Sequence, residues 1–160
     1  MAVEDPDLFL YFAYGANMSA DHFARRLRRA HPGSLRRRRA VLHGYRLVFN
    51  KRARAVATAG FANIIPASGA GVEGILNELT KAEILRLDLI ESAPGHYVRS
   101  KLTVIESTGG AVAAHVYIAN PDWVGEGLRP PRAYMQLILQ GCDLLSTQYV
   151  ASLRAVACND

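Results

Sequence analysis

The chain has 160 residues, half of them hydrophobic, with 19 Lys and Arg against 14 Asp and Glu and a formal net charge of +5. That length suits one domain with a core of its own and leaves no room for two, so residues 1–160 are read as a single unit. The acidic stretch 1–7 lacks the basic and apolar regions of a secretory leader, and no apolar run approaches the roughly 20 residues that cross a bilayer; both predict a cytoplasmic chain without membrane contact.

An apolar strand at Leu8–Ala13 comes first, followed by a Tyr14-Gly15-Ala16-Asn17 turn and a helix over 19–30 that opens at Ser19. Strands follow at 40–50, 61–66 and 71–79. Thr80-Lys81-Ala82-Glu83 reads as a capping box, in which Thr80 accepts the N–H of residue 83 and Glu83 reaches back, so 81–90 is predicted to be helical. Strands at 97–106 and 112–119 flank Gly109-Gly110, a hairpin signal. The Gly- and Pro-bearing loop at 120–127 either lids a site or is a passive connection. Helices over 132–144 and 147–157 close the chain, with Pro130-Pro131 and Ser146 at their starts. Pattern alone gives an α+β fold with a β-rich core and helices outside.

The strand-to-helix turn carries the first chemical signal. Gly15 permits positive φ and close approach of a ligand to the main chain, and the N–H groups of such a loop converge near a positive helix end, a geometry suited to a small anion. An ordinary Gly-Asn turn reads the same way locally. Cys142 and Cys158 are far apart without a CxxC or His-Cys cluster, which supports neither a disulfide framework nor a zinc site. His43, His96 and His115 lack ligand spacing and a Ser or Cys partner, and structural roles are expected for all three.

Charge is uneven along the chain. Between His22 and Val72 there is no Asp or Glu, yet twelve of the nineteen Lys and Arg fall there, including Arg25, Arg26, Arg28, Arg29 and the run Arg36 to Arg39. A nucleic-acid footprint running from Arg25 to Arg39 is one reading. A solvated basic face is the stronger one, because Phe23 and Leu27 form the inner stripe of the helix and no aromatic residues interleave with the arginines. Such a field also draws anionic ligands.

The stretch Tyr11-Phe12-Ala13-Tyr14-Gly15-Ala16-Asn17-Met18 resembles the N-terminal signature of the γ-glutamyl cyclotransferase family, usually written Y-F-A-Y-G-S-N-[ML]. Three further stretches agree in the family's order. They are Gly71 to Leu79, Leu87-Asp88-Leu89-Ile90-Glu91 running on to Gly95-His96-Tyr97, and Arg132-Ala133-Tyr134-Met135-Gln136 with Gly141 beyond. The resemblance implies a small mixed β-barrel with helices packed outside, no cofactor and no metal. It implies a small γ-glutamyl compound as partner and leaves a homodimer open.

The implied chemistry is ring closure: the α-amine of a γ-glutamyl group attacks its own γ-carbonyl, releasing 5-oxoproline and a free amine. Nucleophile and electrophile are tethered, so holding the chain folded supplies much of the rate without a covalent nucleophile. By the same resemblance Glu91 is the acid/base, raised in pKa by burial and by its place at a helix C-terminus. Asp88, one turn earlier, is a structural or supporting residue that repels Glu91 if the two face each other. Tyr14, Gly15, Ala16, Asn17 and Met18 match the loop that holds the γ-glutamyl end, and Tyr97, Tyr134 and, more weakly, Tyr117 match pocket tyrosines. Ala16 stands where the family usually has Ser, so only backbone contacts carry over there. A binding or regulatory module of the same fold is the non-catalytic alternative.

Overall fold

The computed structural model describes residues 7–160, so residues 1–6 of the acidic N-terminal stretch lie outside the described residues. Five strands, β1 (Leu8–Ala13), β2 (Arg37–Arg52), β3 (Gly60–Thr80), β4 (Tyr97–Glu106) and β5 (Ala111–Ala119), close into a barrel in the order β1-β3-β2-β4-β5. Neighbours are antiparallel except β1 and β5, which meet in parallel at Tyr11 and His115, so the barrel is mixed. Four helices, α1 (Ala20–Leu27), α2 (Lys81–Ile90), α3 (Arg132–Gln140) and α4 (Thr147–Arg154), pack outside. Among the described residues no helix is long and apolar enough to cross a membrane.

The period of two along β1 divides the interior. Phe12 and Tyr14 enter the barrel with Leu42, Ile64, Val72 and Val116, while Tyr11 and Ala13 point into the layer beneath the helices with Phe23, Ile84, Leu87 and Ile138. Both sets meet where β1 ends, and there the chain turns into the Gly15 loop.

Three local expectations change in three dimensions. The strands predicted at 61–66 and 71–79 are one strand, β3, because β2 pairs with both halves and absorbs the intervening residues in a register shift between His43 and Tyr45, with Gly44 at φ +82°. The helix predicted over 19–30 stops at Leu27, where Arg28 takes a left-handed conformation with φ 60°. The helix predicted over 132–144 ends at Gln140 and a 3₁₀ turn, Cys142–Leu144, follows.

The basic run is not a freely solvated face. Arg37 pairs with both oxygens of Asp143 at 2.8 Å, Arg38 with Glu78 and Glu106, and Arg39 with Glu73 at 3.3 Å. The acids come from β3, β4 and the segment before α4, so the absence of carboxylates between His22 and Val72 hid the partners. Arg29 likewise forks onto Glu83, at 2.7 and 2.8 Å, and that same Glu83 closes the capping box of α2. Burial pushes the Glu83 carboxyl up, but the Arg29 hydrogen bond and the Thr80 N–H outweigh it and hold the carboxyl below its ordinary range. Helix α2 is thereby fixed at its start.

Its neighbour across the site is fixed by a close approach. A Cβ on Gly141, at the end of α3, would sit 2.2 Å from the Met18 carbonyl carbon and 2.4 Å from the Ser19 nitrogen. The φ of Gly141 is −89°, so contact rather than conformation demands glycine. Gly141→Ala is therefore expected to push α3 off the loop after β1 and to lower stability by about 1–3 kcal/mol, read as a shift in the urea midpoint. An unchanged midpoint would show that the loop yields freely.

Candidate active site

Beyond Ala13 the chain makes a single 3₁₀ turn, Ala16–Met18, closed by the Met18 N–H on the Gly15 carbonyl at 3.0 Å and the Ser19 N–H on Ala16 at 3.1 Å. The amides of Gly15, Ala16 and Asn17 have no backbone acceptor among the described residues, as expected for the first N–H groups of a helical turn. Gly15 has φ −122°, so positive φ is not what requires glycine here. Space is tight instead: a Cβ would lie 3.1 Å from the Tyr134 hydroxyl and 3.2 Å from the Ala62 Cβ, so a side chain here presses on both.

This turn forms one wall of an inner pocket of about 60 Å³, and Glu91, Tyr11, Tyr97, Tyr117 and Tyr134 complete it. Of the residues singled out in the sequence, Tyr14, Gly15, Ala16, Asn17, Glu91, Tyr97, Tyr117 and Tyr134 come together around it. Met18 does not. Its side chain is fully buried beneath the helices, packed near Gly141, and lines no part of the pocket.

Glu91 is the C-cap residue of α2, its N–H bonded to Leu87 at 2.9 Å, and its side chain is 16% exposed. Burial pushes its carboxyl above the ordinary range; Arg26, 3.6 Å away, the Asn17 amide and Lys51 pull the other way without reversing the shift. Asn17 organises this group. Its Nδ2 donates to Glu91 at 3.3 Å and to the Tyr11 hydroxyl at 3.0 Å, while its Oδ1 accepts from Arg26 at 2.8 Å. The guanidinium can only donate, which fixes the amide orientation.

The tyrosines divide by what their hydroxyls do. Tyr14 donates to the Tyr117 carbonyl at 2.5 Å, Tyr97 to the Ala62 carbonyl at 2.8 Å, and Tyr117 to Asp88 at 2.6 Å. Tyr134 instead accepts the Ala62 N–H at 3.1 Å and Tyr11 accepts from Asn17, which leaves both with a hydroxyl hydrogen for an occupant. Burial raises the pKa of Tyr11 and Tyr134, so both stay neutral donors at physiological pH. Asp88 does not face Glu91: it is paired with Arg99 at 2.9 Å and holds Tyr117.

Beyond Ala16, Glu91, Tyr97 and Tyr134, which line both spaces, lies an outer chamber of about 560 Å³. Arg26, Lys51, Arg54 and His96 supply its polar side and Val56, Phe61 and Leu137 its apolar side. The loop at 120–127 is tied down beside it, with Gly125 N–H on the Asn50 carbonyl at 2.9 Å and Trp123 stacked on His96 at 3.7 Å. Sequence reasoning does not single out Tyr11, Arg26 or Lys51. Tyr11 belongs to the quoted signature, and Arg26 lies three residues after Phe23 on α1, but Lys51 carries no local signal.

A family model described as gamma-glutamyl cyclotransferase, AIG2-like, matches residues 11–136, a span that contains every residue of the inner pocket. The chain belongs to this family. A gamma-glutamylcyclotransferase of Bos taurus is 27% identical over 98% of this chain and 83% of its own length. A solved structure of a gamma-glutamyl cyclotransferase superposes with a TM-score of 0.83 at 26% identity, covering 96% of this chain and 90% of that one. An uncharacterized protein from Homo sapiens gives the same TM-score of 0.83 at 25% identity, with coverage of 96% and 90%.

The pairing of Arg26 with Glu91 has a measurable consequence. Arg26 holds the carboxyl down against burial, so Arg26→Met is expected to raise the Glu91 titration midpoint above that of the parent, read by carbon-13 NMR of the side-chain carboxyl. A midpoint that stays put or falls would mean that the guanidinium does not act on Glu91.

Proposed function

We propose that this family member is an active γ-glutamyl cyclotransferase, with Glu91 as the base that drives ring closure. The observation that carries the reading is a carboxylate buried among tyrosines, raised in pKa, at the mouth of a pocket walled by amides. The α-ammonium of the substrate gives one proton to Glu91, freeing the lone pair that attacks the γ-carbonyl. Once the new C–N bond has formed, Glu91 hands that proton to the departing nitrogen and the old C–N bond breaks. The regenerated carboxylate then takes the second proton from the ring nitrogen and passes it to the freed amine, which leaves as an ammonium.

The developing oxyanion and the α-carboxylate need fixed donors. The amides of Gly15, Ala16 and Asn17 and the spare hydroxyl hydrogens of Tyr11 and Tyr134 supply them, each hydroxyl already positioned by the N–H group that donates to its oxygen. Ala16 contributes its backbone alone. The reaction as written calls for no cofactor, and the outer chamber takes the departing amine.

With EDTA present, the purified chain is expected to release 5-oxoproline from at least one member of a panel of γ-glutamyl amino acids and amines, detected by chromatography. No product across the panel would overturn the reading in favour of a binding module. Glu91→Gln is expected to bind the same compound and lose kcat by about 10²-fold or more. The parent's activity should fall as pH drops through the raised Glu91 pKa. Stability takes the opposite sign: an ionised carboxyl whose folded pKa is raised costs stability above its unfolded pKa, and the cost is relieved as pH falls through the folded pKa. At neutral pH the Gln variant should therefore melt at or above the parent. Near-normal kcat in that variant would remove Glu91 from the chemistry.

A further inference from the structure

The inner pocket is rich in groups that donate and poor in groups that accept. The Gly15, Ala16 and Asn17 amides and the Tyr11 and Tyr134 hydroxyls all offer hydrogens, and the Asn17 Oδ1 is taken by Arg26. An α-ammonium is itself a donor with three hydrogens. Glu91, the one carboxylate lining the pocket among the described residues, meets one of them. A second acceptor has to come from a wall whose own hydrogen is turned elsewhere.

Tyr117 lines the pocket and meets that condition. Its hydroxyl donates to Asp88 Oδ1 at 2.6 Å, and Arg99 holds Asp88 in turn, with Nε 2.9 Å from Oδ1 and Nη2 donating to Oδ2 at 3.1 Å. The remaining arm of the guanidinium lies 3.1 Å from His115 Nδ1. An ionised carboxylate accepts and cannot donate, so the phenolic hydrogen has one direction and only lone pairs are left for an occupant. Tyr14 and Tyr97 also spend their hydrogens, but on neutral main-chain carbonyls. A hydrogen bond to a charged acceptor is the stronger kind, and it polarises the donor oxygen into a better acceptor. Burial first and Asp88 second hold the Tyr117 hydroxyl above its ordinary range, so it accepts as a neutral phenol.

We propose that Asp88 is a positioning residue: by fixing the Tyr117 hydroxyl hydrogen, it makes Tyr117 an acceptor for the α-ammonium of the γ-glutamyl group. This rests on the cyclotransferase reading above. Asp88 stands one helical turn before Glu91, so the end of α2 supplies the amine with both acceptors, one directly and one through Tyr117. A nitrogen held at two points loses rotational freedom before the ring closes.

The probes are γ-glutamyl-L-alanine and glutaryl-L-alanine, which differ only in the α-amine. Binding is measured by calorimetry on the slow Glu91→Gln chain, so that it does not depend on catalysis. The aminated compound should bind roughly 10-fold or more tighter. That preference should disappear when Tyr117→Phe is added and fall by about several-fold with Asp88→Asn, while glutaryl-L-alanine binds unchanged. Both substitutions together should match Tyr117→Phe alone, because Asp88 acts through that hydroxyl. Asp88→Leu, an apolar group of similar shape, takes the place of Asp88→Asn if that variant fails to fold. Equal binding of the two probes, a preference that survives either substitution, or equal weakening of both probes would overturn the proposal. Turnover by the parent is scored separately. Product without an amine preference in binding would sink the Asp88 role and leave the reaction standing, whereas a preference that follows Tyr117 and Asp88 without any product would leave an amine site and sink the reaction.

Discussion

A carboxylate held out of water at the negative end of a helix is the constraint around which this molecule is arranged. Glu91 caps α2, where unsatisfied carbonyls disfavour an anion and burial disfavours it further. It persists because α1 brings Arg26 and the loop after β1 brings Asn17 to the same point. Each neighbouring element is then fixed against the others. Arg86 donates to the Arg26 carbonyl at 2.6 Å, Arg29 clasps the far end of α2, and the glycine ending α3 seats the loop. Charge placement and helix packing are one problem here.

The tyrosines extend the same logic to dipoles. Three of them are committed to protein acceptors and act as rigid walls, while two accept from the protein and can still donate. A donor already aimed by its own partner does not have to reorganise when charge develops beside it, which is where preorganised sites gain over water. Asp88 belongs to this scheme through Tyr117, bound to Arg99 and turned away from Glu91.

What could be read in the sequence was local or continuous. The capping box at Thr80 and Glu83, the hairpin at Gly109 and the Tyr11 to Asn17 signature lie within a few residues of one another, so spacing alone conveys them. Arg26 was hidden among four arginines at the end of one short helix, where only the phase relative to Phe23 decides which reaches inward. The Arg36 to Arg39 run looked solvated because its acids arrive from β3, β4 and the segment before α4. The apparent break near Pro66 was a similar case, since whether a Pro- and Gly-bearing segment ends a strand depends on a partner that the local sequence does not contain. Positive φ, one of the two reasons for singling out Gly15, does not hold: the position is crowded by a hydroxyl from α3, far along the chain.

The two ends of the pocket are built from different kinds of backbone. The inner pocket takes its residues from β1, α2, α3 and the barrel strands, each fixed by packing on several sides. Part of the outer chamber comes from residues 53–56, in the turn that joins β2 to β3 and presents the exposed Arg54 and Val56. Few buried contacts oppose change there. Mutation can rewrite that turn without disturbing the tyrosines or Glu91, so on the proposed cyclotransferase reading the choice of departing group and the power to close the ring are separately heritable, and a lineage can explore new substrates while keeping its chemistry intact.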